Sequence, residues 1–358
     1  TMTNLLDLEV GAEGNGFFQI DAGCSATSKN AFIGKIETAT GDALIRGTWN
    51  TLVSAIIGNL GSGSMTVEAG GTLNATQDIK IGDNDFSSGS LTIDGAGSTA
   101  TAGGVTTVGN FGTGSLTVSN GGLLTTAQLK IGDDAHGDVL IDGGTIIDTV
   151  GTGVGNRATG TLTLDNGGTL QSPLVSIIAF MGTVAGSGTI DAPVVNDEVV
   201  SPGNPIGTLT VTGDYTQGFG ILNIELGGTA PGTGYDQLAV NGHSTLGGIL
   251  NVSLVNGFNP ANGQFVILQG GTVSGVFQTV NLPAGFSISY EADRVVVTIG
   301  SPCVADINGD GVLDLADISA FISAFLAQDP AADLAPPAGV FDLADLGTFI
   351  QAFLAGCP

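Results

Sequence analysis

Asp306, Asn308, Asp310, Asp314 and Asp317 place oxygen-bearing side chains at positions 1, 3, 5, 9 and 12 of one twelve-residue stretch. Gly311 stands at position 6, where such a loop bends sharply, and Val312 at position 7 would contribute its carbonyl. Calcium takes about six to eight hard oxygen ligands, and this spacing wraps them round one point. The stretch therefore predicts a calcium site. A helix should follow it, because Ile318, Phe321, Ile322, Phe325 and Leu326 share one helical face.

The unit is duplicated. Phe341 to Leu354 repeats Leu313 to Leu326 at an offset of 28 residues. Its loop, starting at Asp333, lacks carboxylates at positions 3 and 5 and is one residue longer. Asp333, Asp342 and Asp345 remain as a degenerate second set, and occupancy by a second calcium stays open at this point. Paired loop–helix units, an aspartate as last ligand and no helix before the loop resemble a dockerin rather than an EF-hand. The resemblance implies calcium-dependent docking of residues 301–358 onto a cohesin-like or other surface protein. This segment holds eight Asp and no Lys or Arg, so folding and metal binding should be coupled. Cys303 and Cys357 bracket it and read as a disulfide staple in an oxidising compartment, with two free thiols as the alternative. The flanking pair also resembles a dockerin variant of large secreted bacterial proteins. Cys24 stands alone and is expected as a small buried apolar residue.

Residues 1–180 carry that module on a repeat. A closing Ile/Val-Gly pair recurs at Val10-Gly11, Ile33-Gly34, Ile57-Gly58, Ile81-Gly82, Val108-Gly109, Ile131-Gly132 and Val154-Gly155, with Ile178-Ala179 as a degenerate copy. A period of 23–24 residues means a stacked array, here a parallel β-helix or β-solenoid of about eight rungs. Ladder spacing would give a rod of roughly 40 Å. Leu91, Ile93, Leu116, Val118, Leu162 and Leu164 alternate with Thr92, Thr117 and Thr163, so one face points inward and the other outward. Glycine at the corners, and Asn120 and Asn166 before glycines, supply the positive φ that tight corners need. No helix-like cap precedes the first rung. That suggests a bare edge able to pair with the far end of another copy, making head-to-tail filaments.

Residues 181–300 lose the period and show longer strands separated by Asn-Gly turns, which predicts antiparallel strands finishing the stack. The Gly-Ser-Leu-Thr-Val, Gly-Gly-Thr-Leu and Ser-Pro-Gly-Asn motifs resemble autotransporter passenger repeats. The membrane barrel expected after such a passenger is replaced by residues 301–358, so the resemblance implies a rod and an extracellular location, not self-secretion.

The net charge is −26, with only seven Lys and Arg in 358 residues. Nucleic acid is thereby disfavoured as a partner, because nothing can replace counterions along a phosphate backbone. No apolar run is long enough to span a membrane. The corners are short, aromatics are scarce, and His136 and His243 have no matching nucleophile, so no active site is expected. Asp83 and the Asp133-Asp134 pair read as solvated corner residues. Together these features predict a non-enzymatic, secreted structural or surface protein. The alternative is a carbohydrate-active enzyme or polysaccharide-binding protein delivered by its dockerin.

Overall fold

The computed structural model describes residues 1–3, 6–178, 181–300, 304–308 and 312–356. It divides into two units. Thr1–Phe258, Phe265–Leu282 and Ser289–Val296 form the first, and Asn259–Gln264, Pro283–Ile288 and Val297–Pro358 the second.

The first unit is a parallel β-solenoid. In one turn, Ser62–Val67 is the long strand, Thr72–Ala75 and Ile79–Ile81 are two short ones, and Gly82 closes the circuit. Long strands stack into a twelve-stranded sheet, and the short ones build a second sheet. The register is strict: Met65 faces Leu91, Leu91 faces Leu116, Leu116 faces Val139 and Val139 faces Leu162. These residues are almost wholly buried, as are Ile93, Val118 and Leu164 in the neighbouring row. Each buried side chain contributes about 1.5–3 kcal/mol, but only when the turns above and below cover it. Thr92, Thr117 and Thr163 alternate with them on the outer face, as the sequence predicts.

The closing glycines are required by conformation. All seven, from Gly11 to Gly155, hold φ between +68° and +76°. Ala179, the degenerate eighth position, lies outside the described residues. Asn120 and Asn166 also adopt positive φ, 52° and 50°. Each donates its amide to an aspartate one turn back, Asn120 to Asp94 at 2.7 Å and Asn166 to Asp142.

Two expectations are corrected. The parallel stack does not end near residue 180. Ile221 faces Ile249 and Leu226 faces Leu254 in parallel register, and Ile249 then faces Thr279. The steps are 28 and 30 residues (249 − 221 and 279 − 249). Insertions such as the Gly227–Gly234 loop lengthen the corners and hide the period while the strands keep stacking. The antiparallel region is confined to the last strands, Phe286–Tyr290 and Arg294–Ile299, joined by a tight turn in which the Glu291 N–H donates to the Arg294 carbonyl at 2.9 Å. The second correction is Cys24, which is exposed. It follows Gly23 (φ +77°) in a corner turn whose backbone closes from Cys24 N–H to the Asp21 carbonyl, so its side chain faces solvent.

One buried carboxylate secures the lengthened turns. Asp236 is 2% exposed and accepts from Gly207 N–H at 3.0 Å and Glu225 N–H at 2.8 Å, tying the 202–207 loop to the long strand Ile221–Leu226. Burial, with a smaller push from the Glu225 charge, outweighs those bonds and raises its pKa to about 7. The unfolded chain releases this proton near pH 4 and the folded chain near pH 7. Stability from this group is thus fully present below about pH 4 and is lost as pH rises towards 7. Urea midpoints of the parent are expected to fall across that window, by up to one proton of linkage. Asp236→Asn should abolish that slope. It should also lower stability by about 1–3 kcal/mol, because an amide offers one acceptor where two N–H groups converge.

Candidate functional site

In the second unit, two helices repeat one arrangement, α1 over Leu315–Ala327 and α2 over Leu343–Ala355. Asp314 and Asp342 are their N-caps, accepting from Ala316 N–H at 2.6 Å and Ala344 N–H at 2.7 Å. Asp317 and Asp345, three residues on, complete reciprocal capping boxes. Behind them Phe321 and Phe349 stack with ring centroids 4.2 Å apart. Ala305 and Ala332 join these rings in the buried centre, with Phe325, Phe341 and Phe353 around it. Of the apolar face read from the sequence, Phe321, with Ile318 and Phe325 packed against it, belongs to the unit's core, whereas Ile322 and Leu326 are exposed; Phe349 and Phe353 repeat the buried part at the 28-residue offset.

Asp317 and Asp345 are wholly buried. Asp317 accepts from Asp314 N–H at 3.0 Å and Asn308 N–H at 3.4 Å. Asp345 accepts from Leu334 and Ala335 N–H, both at 2.8 Å, and from Asp342 N–H at 2.9 Å. Backbone donors hold both carboxyls below the usual range, the Asp314 amide foremost for Asp317 and the Asp342 amide for Asp345. Both are thus anionic hubs about which the preceding loop folds. Their capping role was missed in the sequence, although Asp-x-x-Asp before an apolar run is a legible cap signal.

The other predicted ligands are placed as follows. Asp306 is half-buried beside Asp317, and Asn308 and Val312 are exposed. Asp310, Cys303 and Cys357 lie outside the described residues. In the second loop, Asp333 accepts from Gly339 N–H at 2.6 Å through Oδ2, while its Oδ1 is buried without a hydrogen-bond partner. Among the described residues, no three His, Cys, Asp or Glu side chains converge as a metal-binding group.

The solenoid's polar corners differ from the solvated turns expected. Asp133 is 5% exposed and meets Lys130 at 3.8 Å and Arg157 at 3.4 Å, while Asp134 meets Arg157 at 2.5 Å. Asp83 meets Lys80 at 3.4 Å and accepts from Asn110 at 3.0 Å. These carboxylates lace successive turns together. His136 does the same, with Nε2 2.8 Å from Asp138 and Nδ1 2.8 Å from Thr159 on the next turn. His243 bridges to Thr272 and Ser274. No described helix is long and apolar enough to cross a membrane. Neither the protein-family models nor the curated proteins searched match this chain.

Proposed function

We propose that this chain is a non-enzymatic extracellular structural or surface protein whose solenoid serves as spacer or building block. Its second unit, resembling a dockerin, is a calcium-dependent attachment module. The observation that carries this reading is the duplicated face that α1 and α2 leave uncovered. Leu315, Ile322 and Leu326 are 77%, 51% and 78% exposed, and their counterparts Leu343, Ile350 and Leu354 are 82%, 45% and 81% exposed. Each helix thus exposes a stripe of three aliphatic side chains, more than the scattered exposure normal for a surface, and such stripes mark an interaction site. The partner would be a cohesin-like or other surface protein, or a further copy of this chain in a homopolymer.

Asp306, Asn308, Asp310, Asp314 and Asp317, with the Val312 carbonyl, would hold calcium in the first loop. All are hard oxygen donors, which suits that ion. In the second loop the orphaned Oδ1 of Asp333 is the acceptor a cation would satisfy, with Asp342 and Asp345 nearby in sequence. Calcium would neutralise the clustered carboxylates and so order the unit.

Hydrogen exchange of the full chain, in calcium and in a chelator, tests this. Amides of α1 and α2 are expected to lose protection on chelation while the solenoid keeps its own. Equal protection of both helices in the two buffers would refute the calcium dependence.

A further inference from the structure

The outer face of the twelve-stranded sheet carries three concavities that join end to end. The first, of about 620 Å³, crosses five strands from Asp42 to Asp138. The second, of about 320 Å³, shares Ser115 and Asp138 with the first and reaches Thr163 and Asn204. The third, of about 610 Å³, shares Thr163 and Asn204 and continues over Asn223 and Asn251. Together they form one groove crossing the strands from Thr40–Ile45 to Ile249–Leu254. Ten strands at ladder spacing make it about 40 Å long.

We infer that this groove binds a linear, non-anionic polysaccharide. Its length fits an extended polymer rather than a compact ligand. The strands beneath are paired on both sides, so a peptide could not dock by adding a strand. The floor presents hydroxyls and amides in register: Ser64, Ser90 and Ser115 stack in one row. Further along, Asn251 donates to Asn223 at 2.9 Å and Asn223 to Ser201 at 3.1 Å. Each of these two amides spends one donor along the ladder and retains another N–H and acceptor capacity for a ligand. A hydroxyl-rich chain can meet such a floor at every turn.

Charge narrows the class. No Lys or Arg lines any of the three concavities, whereas the carboxylates of Asp42, Asp138, Asp165 and Glu225 do. Uronates, sulfated glycans and nucleic acids would be repelled, and neutral or amine-bearing sugars would not. Asp236 stabilises one wall through Gly207, and Glu225 beside it points at the groove as an acceptor for sugar hydroxyls.

This goes beyond the attachment reading and does not depend on it. The test is affinity electrophoresis of the full chain through gels holding galactomannan, mixed-linkage β-glucan, chitosan or polygalacturonate, in calcium and in chelator. Retardation by at least one of the first three and not by polygalacturonate is expected, unchanged by chelation. The double variant Asn223→Ala with Asn251→Ala should weaken binding about tenfold, the effect of losing one or two hydrogen bonds. Glu225→Gln should weaken it less, and Lys29→Ala, outside the groove, not at all. Glu225→Gln also serves as the readout if the double variant fails to fold. The inference is overturned by no retardation in any of the gels, by equal retardation in polygalacturonate, or by parent-like binding of both groove variants.

Discussion

Gly82→Ala is expected to destabilise the solenoid by roughly 2–5 kcal/mol, against about 1–2 kcal/mol for Gly70→Ala. Both glycines have positive φ, +71° and +80°. They differ in what surrounds them. A Cβ on Gly82 would fall 2.3 Å from the Thr113 carbonyl oxygen and 2.5 Å from that of Gly112, whereas nothing lies within 4 Å of one on Gly70. The obstructing atoms are backbone of the next turn, held by the ladder and unable to rotate aside. Gly89 closes the interlock from the other side, since its Cβ would sit 2.2 Å from the Ile57 oxygen and 2.5 Å from Gly82 N. Left-handed alanine costs about 1–2 kcal/mol and overpacking about 1–3 kcal/mol more. Alanine at Gly70 meets the same left-handed strain with no clash, so Gly70→Ala isolates the conformational part. Stability in a stacked array is carried by nearest neighbours. Hydrogen exchange should therefore show the Gly82→Ala loss concentrated in turns between about residues 57 and 116. Equal effects of the two substitutions would mean that the φ requirement alone explains the closing glycines.

The same contact explains why the solenoid was legible in sequence. A left-handed corner pressed on backbone admits only glycine, so Gly recurs after a core Ile or Val and marks the period. Beyond residue 180 this marker fades. Ala179 stands at the degenerate position, and the corners lengthen until Ile249 and Thr279 are 30 residues apart in register. The β-runs kept their alternation, but alternation alone does not separate parallel stacking from antiparallel pairing. Only the partner strand's register does, and that is a non-local fact. Cys24 was misread for a related reason. Burial follows from which side of a corner a residue lies on, and composition is silent about that. In the second unit, the spacing of Asp314 and Asp317 identified both as acceptors aimed into a loop. It did not distinguish acceptance from backbone amides from acceptance of a cation, because a carboxylate serves both with the same geometry. The groove was invisible for a different reason. It arises from outward residues on ten strands, which meet only when turns of unequal length are brought into register.

Asp317→Ala is expected to remove protection from α1 altogether, and its calcium response separates the two roles of this carboxylate. As a hub, Asp317 satisfies the part-buried backbone amides of Asp314 and Asn308. Orphaning such a donor costs about 1–3 kcal/mol, and losing a capping contact adds about 1 kcal/mol. A unit whose described core centres on Ala305, Phe321, Ala332 and Phe349 has little margin to absorb that. As a ligand, Asp317 would also transmit calcium binding into stability. At a thousandfold excess over Kd, bound calcium adds about 4 kcal/mol. The parent should then gain several kcal/mol from calcium, and Asp317→Ala should gain little. Asp345→Ala gives the comparison. It removes an equivalent hub, which takes three backbone N–H bonds, from the loop that lacks carboxylates at positions 3 and 5. That variant should lose protection in α2 yet keep a calcium response in α1. If both variants unfold their helices while the parent is indifferent to calcium, Asp317 and Asp345 act only as caps. The uncovered leucines of α1 and α2 would then be a docking face that needs no metal to form.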